Sequence, residues 1–271
     1  MTASQVSAAG NGNLEVIVEA AVRITPRLSR IASGGRQVPV ASVLLGGVPR
    51  GAVILLSAAG EPAADVAEAM NGLAAHGYES VAADLGGATA GGAGSGDDAA
   101  VSDVAALADL LAGRGWSREQ IGLVGYGYGG RAALLAAASD VFGAAVSIEP
   151  AGAGQLAAEP RRVADGRGVL TPWLGLFAEL GEAGTADAEA GETGRAAWLP
   201  ALRRALWLSS PVYTQVVTYP GVSGSYYRDS RETAAHAAGF DTWQRIVEWL
   251  NLHVVPRPTT KETSYARRRQ Q

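Results

Sequence analysis

Gly125-Tyr126-Gly127-Tyr128-Gly129-Gly130 follows the apolar run Ile121 to Val124 and precedes the alanine-rich run Arg131 to Ser139. The first run reads as a buried strand and the second as a helix, so the glycines between them mark an abrupt strand-to-helix turn. A turn of the pattern small-x-nucleophile-x-small holds its central residue in a strained conformation and presents it above the sheet. The central residue here is Gly127, which carries no nucleophilic atom. Fold and chemistry must therefore be argued separately.

Working outward, strands and helices alternate. Ala52 to Leu56 is a continuous apolar run suited to the centre of a sheet. It ends in the small-residue loop Ser57-Ala58-Ala59-Gly60, and Pro62 fits the first turn of a helix running to about His76. Tyr78 to Ala83 makes the next strand, and the alternation predicts a parallel sheet. Ahead of it, Leu14 to Ile24 and Gln37 to Leu45, separated by Ser33-Gly34-Gly35, predict an opening antiparallel pair. Gly86 to Gly96 is a Gly/Ala/Ser stretch that reads as a loop, and Asp97 and Asp98 suit the N-terminal dipole of a helix running to about Ala112. Further strands are expected over 142–148, 169–177 and 212–218, with helices over 196–207 and 232–253. The predicted fold class is α/β, a mostly parallel sheet flanked by helices with antiparallel N-terminal strands.

With 271 residues, 48% of them hydrophobic, the chain can bury one sizeable core, and a single domain over 14–255 is expected. Residues 1–13 are small and polar and read as a disordered start without the charge and apolar core of a signal peptide. Residues 256–271 read as a basic, disordered tail. The absence of cysteine excludes disulfides and thiolate chemistry. A net charge of −4 argues against a nucleic-acid surface, and no apolar run approaches a membrane span, so a cytoplasmic protein is expected. No phosphate loop, dinucleotide fingerprint or metal-ligand spacing is present, and no cofactor or metal is expected. Nothing in the sequence specifies an oligomeric state.

Three segments resemble the dienelactone hydrolase family of α/β-hydrolases. The glycine turn resembles the family's Gly-x-Cys-x-Gly-Gly; Thr171 to Phe177 is similar to the strand before its acid; and Tyr219-Pro220-Gly221-Val222-Ser223, continued by Tyr226-Tyr227-Arg228-Asp229-Ser230, is similar to the surroundings of its histidine. The resemblance places the nucleophile on Gly127, the acid on or near Gly181 and the histidine on Gly224. All three are glycine. It further implies an oxyanion hole from the backbone N–H groups of Ala58 and Tyr128, Ser57 where the family has a glutamate, Arg228 as a substrate-carboxylate contact, and a pocket that includes Tyr126, Tyr226 and Tyr227.

The remaining residues offer few substitutes for a triad. His76 and His253 read as cations at helix C-termini, and His236 as a surface residue at the polar start of the last helix. Ser57 is the best-placed other hydroxyl, with a hydrogen bond to nearby backbone as its simpler role. The tyrosines have packing as their simpler role. These observations leave three readings open. In one, a non-hydrolytic cyclase or isomerase binds a carbonyl- or carboxylate-bearing small molecule; in another, the protein is a non-catalytic scaffold or partner; in the third, it is a hydrolase with a displaced triad.

Overall fold

A computed structural model describes residues 6–8, 14–16, 23–57, 63–85, 93–158, 168–180, 191–224, 226–227 and 232–257. Val6–Ala8 (β1) and Leu14–Val16 (β2) pair antiparallel in a small separate sheet. The main sheet comprises Arg27–Ser33 (β3), Arg36–Val43 (β4), Gly51–Ser57 (β5), Tyr78–Asp84 (β6), Ile121–Tyr126 (β7), Ala144–Ile148 (β8), Trp173–Ala178 (β9) and Thr214–Tyr219 (β10). Their order is β10-β9-β8-β7-β5-β6-β4-β3, parallel from β10 to β6, with β4 and β3 antiparallel at the far edge. The helices are Ala63–Ala75 (α1), Ala93–Ala112 (α2), Tyr128–Ser139 (α3), Ala153–Ala158 (α4), Gly191–Ser209 (α5) and Thr233–His253 (α6).

The predicted α/β architecture is present, with two corrections near its start. The opening antiparallel pair is β3 with β4, whereas Leu14–Val16 pairs with β1. Ser33-Gly34-Gly35-Arg36 decides this, because Gly34 and Gly35 take φ +54° and +77° and close a two-residue hairpin onto the residues immediately before it. Arg27–Ser33 escapes a hydrophobicity reading because it is an edge strand, exposed over most of its length and alternately polar. The second correction is that α2 begins at Ala93, inside the stretch read as a loop.

The sheet separates two apolar layers. Ala52, Ile54 and Leu56 of β5 point to α2, α3 and α5, while Val53 and Leu55 point to α1 and α6. All seven residues of β5 are buried, as a strand covered on both faces requires. Burying one such Leu, Ile or Val contributes roughly 1.5–3 kcal/mol, so the central strands form a rigid platform for the loops at their carboxyl ends.

Candidate functional site

β7 passes into α3 through Gly127, which is the N-cap of α3 at φ 55°, ψ −116°. That combination is closed to residues bearing a Cβ except under strain. The flanking glycines have a different reason. A Cβ on Gly125 would land inside contact distance of the Gly129 carbonyl, and one on Gly129 inside contact distance of the Leu56 carbonyl. On Gly130 it would stand 2.9 Å from the Ile148 carbonyl oxygen. Helix and strands therefore approach closely enough to exclude side chains, and the turn is pinned to β8: Gly127 N–H donates to Ile148 O at 2.9 Å, and Ala151 N–H donates to Gly127 O at 2.9 Å.

Polar groups lock α3 from behind. Arg131 is buried and forms a bidentate pair with Asp97, both N···O distances being 2.7 Å, while its remaining nitrogen donates to Ala151 O at 3.2 Å and Gly152 O at 3.3 Å. Asp97 thus holds the turn helix, in addition to lying in the first part of α2. Ser147 donates to Gly130 O at 2.8 Å and accepts from Trp173 Nε1 at 2.9 Å, joining β8, α3 and β9 in one buried, satisfied chain.

Of the residues read from the sequence, Gly127, Tyr126 and Tyr128 lie at the turn, and Ser57 lies at the carboxyl end of neighbouring β5. Ser57 is buried, and its hydroxyl donates to Ala83 O at 3.3 Å, the simpler role anticipated for it. The Tyr126 and Tyr227 rings pack at 5.1 Å, and Tyr227 meets Tyr226 edge-on at 5.8 Å. Tyr226 is only 2% exposed, and its hydroxyl shares a hydrogen bond of 3.0 Å with Thr242 Oγ1. Burial pushes its hydroxyl well above the ordinary tyrosine range, an effect stronger than the opposing hydrogen bond from Thr242. Tyr226 is therefore a packing residue whose neutral hydroxyl is spent within the core. Burial also raises Tyr128, aided by the charge of Asp97, and the Tyr128 hydroxyl is buried without a hydrogen-bond partner among the described residues. Gly224 is buried in a turn after β10. Ala58, Gly181 and Arg228 lie outside the described residues.

The histidines are dispersed. His76 is exposed at the end of α1 and His236 is exposed on α6. His253 packs its ring 4.4 Å from that of Trp249, and burial lowers its pKa below the ordinary value of 6.5. The expected helix-end cation is thus biased toward its neutral form, because desolvation acts against the dipole.

Glu149, a residue the sequence reading passed over, stands beside the turn. It follows β8, is 7% exposed, and is the one described non-glycine residue at positive φ, +48°. It also precedes Pro150, a position that ordinarily favours extended backbone. Its N–H donates to Leu176 O at 2.9 Å, and its carboxylate accepts from Ala178 N–H at the carboxyl end of β9. An acidic residue directly before proline at a strand's carboxyl end was the signal available. Its burial and strain arise only when β8 and β9 lie side by side.

The dienelactone hydrolase family model matches residues 47–254, which span everything from β5 to the end of α6. The chain belongs to the dienelactone hydrolase family. Among solved structures, a protein from Klebsiella pneumoniae subsp. pneumoniae assigned as a dienelactone hydrolase is 19% identical, with a TM-score of 0.61 over 83% of this chain and 98% of that one. An esterase from Thermogutta terrifontis, solved with propionate bound, is 14% identical, with a TM-score of 0.61 over 87% of this chain and 97% of that one. A puromycin-hydrolyzing peptidase of Mycobacterium tuberculosis is 15% identical, with a TM-score of 0.65 over 92% of this chain and 43% of that longer one. At these identities the structures are relatives in fold. No curated protein matches the chain. Among the described residues, no helix is long and apolar enough to cross a membrane, and no group of three or more acidic or histidine side chains could hold a metal ion.

Proposed function

We propose that this member of the dienelactone hydrolase family works without the hydrolytic triad, binding a carbonyl- or carboxylate-bearing small molecule and acting on it, as a cyclase or isomerase would, by orientation and electrostatics. The observation that carries the reading is the turn residue itself. The resemblance places the nucleophile on this strained N-cap, at φ 55°, ψ −116°, and the residue there is Gly127. Glycine accepts this backbone without the roughly 1–3 kcal/mol that a nucleophile would store there. Gly181 and Gly224 in the acid and histidine positions fit the same reading. A displaced triad is disfavoured because Ser57 spends its hydroxyl on Ala83 O, and the histidines sit at the ends of α1 and on α6.

Backbone donors survive any change of side chain. A helix's first N–H groups have no partner within the helix, and in the proposed reading those of α3, Tyr128's among them, would with Ala58 N–H stabilise a polarised carbonyl or an enolate. Arg228 would bind a carboxylate. A second reading, a non-catalytic scaffold or partner, is favoured by the packed Tyr126, Tyr226 and Tyr227 rings.

Two measurements test the proposal. Wild-type protein is expected to show no turnover of p-nitrophenyl esters or small lactones above background; saturable turnover abolished by Ser57→Ala would overturn it in favour of a displaced triad. Thermal-shift titration with a panel of aromatic carboxylates and enol-lactones is expected to stabilise wild type, and to fail for Arg228→Ala and for Gly127→Leu, which plugs the space. Equal binding by all three proteins, or none by wild type, would leave the scaffold reading in its place.

A further inference from the structure

The two edges of the main sheet are treated differently. At one end, β3 carries exposed Arg27 and Arg30, charges that discourage another strand from pairing. At the other, β10 reads Thr-Gln-Val-Val-Thr-Tyr, with no charge, proline or glycine, and no described strand lies beyond it. Beside it, α5 and the start of β10 expose Trp207 by 74%, Leu208 by 64% and Tyr213 by 60%. These residues line a recess of about 1110 Å³ that also carries Arg203, Arg204 and Glu179. An unprotected edge next to large exposed aromatics is a pairing surface.

The backbone specifies how it would pair. Tyr213 O and Tyr219 O accept from Trp173 N and Glu179 N at the two ends of β9. Backbone groups alternate in direction along a strand, so Thr214, Val216 and Thr218 present their N–H and C=O groups to the open edge. Side chains alternate as well: Val216 packs with the layer of α2, α3 and α5, and Val217 with that of α1 and α6.

We propose that β10 pairs antiparallel with β10 of a second copy of this chain, about a two-fold axis through Val216 perpendicular to the sheet. That axis keeps each face on its own side, opposes Val216 to the partner's Val216 and Thr214 to the partner's Thr218, and joins the outward-facing groups that each copy offers. A second copy brings by symmetry the same uncharged, proline-free edge and the same flanking aromatics. The recess matches itself in charge as well, holding both signs in Glu179 and the two arginines. Trp207 and Tyr213 alone offer on the order of 250 Å² per copy toward the roughly 800 Å² per partner of a stable interface, and exposed Leu208 and the paired edges add to it.

Sedimentation velocity of the full chain at micromolar concentration is expected to give twice the 27.6 kDa monomer mass. The surface variant Trp207→Glu/Thr218→Lys is expected to halve it while leaving the far-UV circular dichroism unchanged. The chain has no cysteine, so single substitutions report the register directly. Under mild oxidation Val216→Cys is expected to form an intermolecular disulfide, and Gln215→Cys, offset by two residues from its own copy, is not. A monomeric wild type at every concentration would overturn the proposal and leave the edge to a different partner. A dimer indifferent to the surface variant, or equal crosslinking at 215 and 216, would also overturn it.

Discussion

Gly127→Ser puts a side chain on the strained N-cap of α3, and its cost follows from the backbone. At φ 55°, ψ −116° a non-glycine residue costs roughly 1–3 kcal/mol, partly offset by about 0.4–1 kcal/mol because serine restricts the unfolded chain more than glycine does. The net expectation is a loss of about 1–2 kcal/mol, or on the order of 2–8 °C in melting temperature for a chain of this size. Urea denaturation followed by tryptophan fluorescence reads it as a lower midpoint at unchanged slope. Gly129→Ala is the internal comparison. Its Cβ meets the Leu56 carbonyl, a backbone atom that cannot swing aside, so its loss is expected to exceed that of Gly127→Ser. No esterase activity is expected to accompany Gly127→Ser, since the new hydroxyl has no histidine in the family position. A Gly127→Ser protein as stable as wild type would refute the strain argument, because the turn would then accommodate a Cβ freely. A Gly127→Ser protein that hydrolyses esters would show that the base had been present all along.

Arg131→Met is expected to destabilise by about 3–5 kcal/mol in the same assay, because it leaves Asp97 partly buried without its bidentate partner; Arg131→Met/Asp97→Leu should recover much of this, and a single-variant loss below about 1 kcal/mol would count against the pair as the lock on α3. The lowered pKa of His253 means that the unfolded chain binds that proton more tightly. Its contribution is therefore complete above pH of about 6.5 and declines as pH falls from there through the folded-state pKa. His253→Gln should flatten the fall of the urea midpoint over that interval, and identical slopes for variant and wild type would refute the assignment.

The turn and its neighbours were legible in the residues because the constraints there are local. Gly125 to Gly130 between an apolar run and an alanine-rich run admits few backbones other than a tight strand-to-helix turn, and the alternation around it calls for a parallel sheet. The absence of a nucleophilic atom at residue 127 is likewise a fact of sequence. What only the folded chain decided depended on residues far apart in sequence meeting. Ser33-Gly34-Gly35-Arg36 turned the chain back onto Arg27–Ser33, whose exposed edge position hid it from a hydrophobicity reading. Asp97 could be read as a helix-dipole residue until α2 lay against α3 and brought it to Arg131. Tyr226 could be assigned to a pocket until Thr242, on a different element, accepted its place in the core. Glu149 became a strained, buried carboxylate only when the end of β9 supplied Ala178 N–H. The open edge at β10 is of the same kind, because strand order, which no short stretch of sequence encodes, determines which strand is left without a neighbour.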